Sequence, residues 1–333
     1  MRFAVIGAGG VGGYFGGKLA SGGADVTFVV RGRTLEALRE RGLRVESIHG
    51  DFAVPFLGDP RSSSVPRPRN SEDPQELRGT LKATDDPSSI GVVDAVFVAT
   101  KAWQIAEAVS NIQPLIGPET VVVPLENGME APDVIARAVG REHTLGGLCG
   151  IVAFIVEPGH IKHAGVDPFI MFGELDGGVS SRVERLRDAC VAAGVNAQLS
   201  DDIHRSMWTK FLFIAPMSGL GAATRIAAGV WRAMPETRAI AVDAMEEIIA
   251  VAAARGVDLG GEAVARTLAR IDALPPDSTS SLQRDVIDGK PSELDAQLGA
   301  VVRMGRASHV PTPVCEMLFN LLLPQERRAR GEV

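Results

Sequence analysis

MRFAVIGAGGVGGYFGGKLASGGADVTFVVRGR, residues 1–33, decides the fold. Its residues 2–6 form a nearly continuous apolar run, as a buried parallel strand does. The run leads straight into Gly7-Ala8-Gly9-Gly10-Val11-Gly12, a G-x-G-x-x-G. A helical pattern follows from Val11 to Ser21 and is closed by Gly22-Gly23. A second apolar run, residues 25–30, completes a βαβ unit. In this context each glycine has a physical task. Gly7 permits the tight turn, Gly9 lets a pyrophosphate approach the backbone, and Gly12 lets the helix sit close to the sheet. The N–H groups at the helix start favour an anion. The backbone of Gly7, Ala8, Gly9, Gly10, Val11 and Gly12 is therefore the expected cradle of a dinucleotide.

The end of the second strand chooses between dinucleotides. An NAD site usually carries an acid there, about 20 residues after the glycines, for the ribose 2′-hydroxyl. Here the chain reads Val30-Arg31-Gly32-Arg33, and no acid follows before Glu36. A guanidinium matches a 2′-phosphate in shape and charge. Arg31 therefore predicts NADP (NADPH) rather than NAD.

Two more apolar runs, 95–99 and 120–125, end in polar residues: Lys101-Ala102-Trp103-Gln104 and Glu126-Asn127-Gly128-Met129. Ligands of open parallel sheets bind outside the carboxyl ends of the strands, which singles out Lys101 and Asn127. From about Ser200 helical periodicity takes over, at 203–216, 236–255, 263–271 and 291–307, with Gly256 as a C-cap. The expected organisation is a parallel α/β domain over 1–200 and an all-helical domain over 201–333. The cofactor cleft is expected between them, with hinge closure near residue 200. Residues 58–78 hold four prolines and four serines in 21 positions, which reads as an extended surface loop. Its arginines, Arg61, Arg67 and Arg69, suggest a lid as the alternative.

Composition narrows the function. The chain has 333 residues, enough for two domains with a large core. Its net charge of −7 lacks the basic excess of a nucleic-acid binder. Three scattered cysteines fit a reducing compartment, and no Cys-x-x-Cys or His-x-x-x-His pair points to a metal. No apolar signal core precedes the first strand, and the apolar stretch 239–254 is broken by Asp243, Glu246 and Glu247. A cytoplasmic enzyme acting on a small molecule, with no membrane partner, is expected.

Taken together, GAGGVG, KAWQ at 101–104, ENGM at 126–129, MWTK at 207–210 and SLQRD at 281–285, with Glu293 twelve residues after Ser281, resemble the ketopantoate reductase (2-dehydropantoate 2-reductase) family. The resemblance covers nearly the whole chain. It implies a Rossmann-type doubly wound parallel sheet followed by an all-helical C-terminal domain. It implies NADPH-dependent reduction of a 2-oxo acid to a 2-hydroxy acid, as in pantothenate biosynthesis. Arg31 and Lys101 then lie near the adenosine phosphate, and Asn127 near the nicotinamide ribose and the reaction centre. Ala153 contacts the cofactor through its backbone. Lys210 donates the proton, Ser281 binds the substrate carboxylate, and Glu293 reaches the cofactor from the helical domain.

The departures concern the substrate. The family carries asparagines four and eight residues after its lysine, and another ten residues further on. Here those positions are Ile214, Ser218 and Ala228. Ser218 can still donate one hydrogen bond. A pocket that lacks the asparagines favours a more apolar 2-oxo acid, because a hydroxyl-binding site discriminates through that bond.

The residues also restrict the proton donor. Hydride addition to a ketone leaves negative charge on oxygen. Tyr14 is the only tyrosine and sits in the first helix, so a Tyr-x-x-x-Lys site is excluded. The histidines read as loop, turn, strand or helix-end residues. Lys210 lies in the apolar stretch Met-Trp-Thr-Lys-Phe-Leu-Phe-Ile, where desolvation lowers a lysine's pKa; a lysine snorkelling to water is the alternative. Ser281 reads both as an anion ligand and as a helix cap before Leu282. Two other functions stay open: a 3-hydroxy-acid dehydrogenase on the same fold, and an NADP(H)-binding sensor without turnover. The apolar helix over 314–323 packs within the chain or forms a homodimer, the homodimer being the favoured reading.

Overall fold

The computed structural model describes residues 1–57 and 79–333. The 58–78 segment, with its lid reading, lies outside the described residues. The elements run β1 (Arg2–Ile6), α1 (Gly10–Ser21), β2 (Asp25–Val29), α2 (Gly32–Arg41), β3 (Leu43–Ser47), β4 (Phe52–Val54), β5 (Leu81–Thr84), β6 (Ala95–Val98), α3 (Ile105–Ser110), β7 (Val121–Pro124), α4 (Ala131–Val139), β8 (Leu145–Glu157), β9 (His160–Glu174), α5 (Ser181–Ala192) and β10 (Asn196–Leu199). They continue as α6 (Ile203–Thr224), α7 (Ala228–Trp231), α8 (Pro235–Ala254), α9 (Ala263–Asp272), α10 (Ser281–Ile287), a π-helical segment Asp295–Gly299, α11 (Ala300–Ala307) and α12 (Pro313–Ala329).

The chain divides into two compact units, Met1–Glu126 with Ala131–Ile203, and Asn127–Glu130 with His204–Val333. The short Asn127–Glu130 stretch, expected in the first domain, groups with the helices.

In the first unit, five strands pair in parallel in the order β5-β2-β1-β6-β7. Every residue of β6 and β7 is buried, which matches their continuous apolar runs. The order reverses at β1, where the chain steps to β2 on one side and β6 on the other. Such a switch point opens a crevice at the strands' carboxyl ends. A second, mixed sheet has the order β10-β9-β3-β4, with β8 antiparallel to β9. The sequence reading did not expect this sheet. Its long hairpin is rich in glycine, which hides strand character.

The second unit is helical, with a core that includes Trp208, Phe211, Trp231, Met245 and Leu298. Helix α6 runs through Pro216 to Thr224, beyond the expected end. Helix α8 ends where expected, and Gly256 follows it at φ +83°. The expected helix over 291–307 begins only at Asp295, and its first turn is a π segment. Among the described residues, no helix is long and apolar enough to cross a membrane.

Candidate active site

The glycine turn sits between β1 and α1 and is fixed by its neighbours. Gly7 has φ +94°, and a Cβ there would stand 2.9 Å from the Ala99 carbonyl oxygen. A Cβ on Gly12 would collide with the Gly7 carbonyl oxygen. Both glycines are thus demanded by the fold. Gly9 differs, since a Cβ there would meet no protein atom within 4 Å. Its Cα faces an open cavity of about 330 Å³ lined by Gly7, Ala8, Gly9, Arg31, Thr100 and Gln104, among others. A backbone bare of side chains at the mouth of a cavity fits a pyrophosphate, and the start of α1 supplies donors toward it. The residues present therefore fit a dinucleotide. Ala153 of β8 lies against the turn: a Cβ on Gly10 would come within 2.5 Å of its carbonyl oxygen.

Arg31 caps α2 from an extended backbone and borders the same cavity. Its Nη1 donates to Glu107 Oε1 at 2.6 Å. That hydrogen bond, and then the opposite charges, hold Glu107 below the usual carboxylate range. Asp85, just after β5, borders the cavity too. So the acid absent from the end of β2 in sequence is supplied in space, from α3 and from the β5 end. Neither is legible at 54 or 76 residues' distance. Lys101, expected near the adenosine phosphate, has its ammonium 5.6 Å from the Trp103 ring centroid. Thr100 and Gln104 form the cavity wall beside it. Glu126, buried at the end of β7, accepts from Thr100 Oγ1 at 3.3 Å and so ties two strand ends together.

In the second unit, Asn127 Nδ2 donates to Glu293 Oε2 at 3.2 Å. These two expected site residues, 166 positions apart, meet. Glu293 is buried and stands just before the π segment, not at a regular helix start.

Helix α6 carries the next three positions. Lys210 is half-buried beside the buried Trp208 and Phe211. Ile214 and Ser218 follow at i+4 and i+8, so the three share a face. The Ser218 hydroxyl is fully buried and has no hydrogen-bond partner among the described residues. Ala228 is buried at the start of α7, and its N–H donates to Ser278 O at 3.0 Å. Ser281 proves not to be the helix cap. That role belongs to Ser280, whose Oγ accepts from Gln283 N at 3.0 Å. Ser281 is the first helical residue and half-buried.

Sequence reading passed over Gln297. It is fully buried in the π segment, and both atoms of its amide lack partners among the described residues. An unsatisfied buried polar group costs about 1–3 kcal/mol. Single π turns are often found at functional sites. The available signal was a glutamine three residues after Leu294 and next to Leu298, on an otherwise apolar face. The α6 and π elements touch at the neighbouring residues: a Cβ on Gly219 would stand 2.9 Å from a Leu298 methyl. His163, read in a turn and strand, lies in β9, and its two ring nitrogens lie 2.9 Å from Ser47 Oγ and 3.0 Å from Val166 O.

This architecture has known counterparts. A 2-dehydropantoate 2-reductase of Mesorhizobium japonicum is 29% identical over 97% of both chains. The crystal structure of 2-dehydropantoate 2-reductase from Geobacter metallireducens GS-15 is 29% identical, covers 97% of this chain and 99% of its own, and superposes with a TM-score of 0.83. A ternary structure of D-mandelate dehydrogenase with NADH and anilino(oxo)acetate shares the fold, at 24% identity, 99% coverage of both chains and a TM-score of 0.83. The model of the ketopantoate reductase PanE/ApbA family matches residues 3–177, and that of its C-terminal part matches residues 202–326. With both halves matched around a Rossmann-like sheet and a helical second unit, the chain belongs to the ketopantoate reductase family of oxidoreductases.

Proposed function

We propose that this chain reduces a 2-oxo acid to a 2-hydroxy acid with NADPH, ketopantoate being the first substrate to test. The observation that carries this reading is the face of α6. It presents a half-buried lysine, an apolar side chain and a buried, unsatisfied hydroxyl in one line. These suit a proton donor, an apolar wall and a polar anchor. The glycine turn and Arg31 support the dinucleotide, and a guanidinium favours the phosphorylated form.

A bound nicotinamide supplies the hydride. The protein must then manage the charge that appears on the substrate's carbonyl oxygen. Lys210 Nζ donates a proton to that oxygen, a step worth about 10²–10⁴ in rate. Ser281 Oγ donates a hydrogen bond to the carboxylate, and the hydroxyl of Ser218 and the amide of Gln297 offer further donors. Asn127, oriented by Glu293 through its Nδ2, presents its amide oxygen.

Ile214 supports a second reading, in which a more apolar 2-oxo acid is the better substrate. The test is NADPH oxidation with ketopantoate beside branched and aromatic 2-oxo acids. Lys210→Ala is expected to lower kcat about 10²–10⁴-fold with NADPH affinity unchanged. Highest kcat/KM with ketopantoate supports the first reading, and highest kcat/KM with an apolar acid the second. NADPH binding with no turnover of any member overturns both and points to a sensor.

A further inference from the structure

We infer that Glu107 is a specificity-determining residue of the nucleotide site and opposes the 2′-phosphate that Arg31 would otherwise select. The inference rests on reading the Gly7–Gly12 turn as a dinucleotide site.

Three observations carry it. Arg31 and Glu107 form an ion pair at 2.6 Å, and both border the cavity that begins at the glycine turn. The pair joins the two crossovers that flank the switch point, since Arg31 follows β2 and Glu107 lies on α3 after β6. Asp85 borders the same cavity, so among the described residues the charged groups on that wall are one cation and two anions. A lone guanidinium beside β2 would meet a 2′-phosphate with a bidentate contact. Here Arg31 Nη1 is already engaged by the Glu107 carboxylate, so a phosphate must share the guanidinium with Glu107 or displace it. The dianionic phosphate then sits beside two acids that repel it. A ribose 2′-hydroxyl meets neither cost. Glu107 thus acts on cofactor choice through Arg31, as a positioning residue, and narrows the preference for NADPH over NADH. Both side chains are largely exposed, 70% and 61%, so the effect is screened by salt.

The test uses the full chain and two fragments that differ only in the 2′-phosphate: 2′,5′-ADP and 5′-ADP, titrated by calorimetry. Wild type is expected to bind them within about tenfold of each other, and Glu107→Gln to bind 2′,5′-ADP about tenfold more tightly. Affinity for 5′-ADP should change by less than about twofold. The gain should shrink as salt rises and vanish in the Arg31→Ala/Glu107→Gln double variant. Glu107→Ala, on an exposed helical position, provides a second variant with the same expectation. An unchanged ratio of the two affinities overturns the inference, as does a parallel change in both, which is what a merely structural role would give. Wild type that binds neither nucleotide overturns the dinucleotide reading and this inference with it, whereas an unchanged ratio leaves that reading standing.

Discussion

The turn at Gly7–Gly12 is made of backbone, whereas the face of α6 and the neighbouring π segment are made of side chains. At the turn, what matters is what is missing. Gly12 has no Cβ because the Gly7 carbonyl occupies its place, and Gly9 has none although nothing occupies its place. In the helical unit, what matters is what is present without a partner among the described residues: the Ser218 hydroxyl and the Gln297 amide, fully buried. A backbone site depends on the fold and leaves little freedom to the sequence. A side-chain site can be rewritten one residue at a time.

The largest expected effect separates the two kinds of glycine. Gly12→Ala places a methyl against the Gly7 carbonyl and should destabilise the protein by about 3 kcal/mol in urea unfolding. Gly9→Ala has an extended backbone, φ −74° and ψ −166°, and open space around the new methyl. Its stability should change by less than about 1 kcal/mol. Its affinity for 5′-ADP should nonetheless fall at least about tenfold, because the methyl occupies the pyrophosphate's approach. Equal stability losses in the two variants would break the distinction between a glycine kept for the fold and one kept for a ligand.

The same distinction explains what the sequence disclosed. Strands β1, β2, β6 and β7 were legible because buried parallel strands are continuous apolar runs, and α1 because glycines bound it on both sides. The β8–β9 hairpin was not. Gly146, Gly147 and Gly150 depress its strand signal, yet each is required by close packing. A Cβ there would strike Ile203, the Pro124 carbonyl or the Phe169 ring. The glycine turn was legible for the opposite reason, since its order and spacing are themselves the signal. Contacts such as Arg31–Glu107 and Asn127–Glu293 depend on topology, and no local pattern announces them. Ser281 was misread as a cap because Ser280 and Ser281 are chemically identical neighbours, and only backbone geometry tells them apart.

A middle-sized effect tests whether the side-chain region sets the substrate. Ile214→Asn places an amide at a half-buried position of α6. The ratio of kcat/KM for ketopantoate to that for an apolar 2-oxo acid should rise at least about tenfold, because a hydrogen-bonding site discriminates through the bond it can make. An unchanged ratio would move substrate choice away from α6 altogether.

The smallest effect addresses the buried amide. Gln297→Leu removes two unsatisfied polar atoms from a site with no exposure and keeps most of the volume. The variant should be more stable by about 1 kcal/mol, read as a shifted urea midpoint with an unchanged slope. If the amide serves the substrate, KM for the 2-oxo acid should rise severalfold while kcat holds, the mark of lost binding common to ground and transition states. Such a pair of results would show a residue that lowers the stability of the fold and strengthens ligand binding. A less stable Gln297→Leu would mean that the amide is satisfied in the folded protein. The contrast between the two regions would then be one of construction alone, with no energetic penalty held in the helical unit.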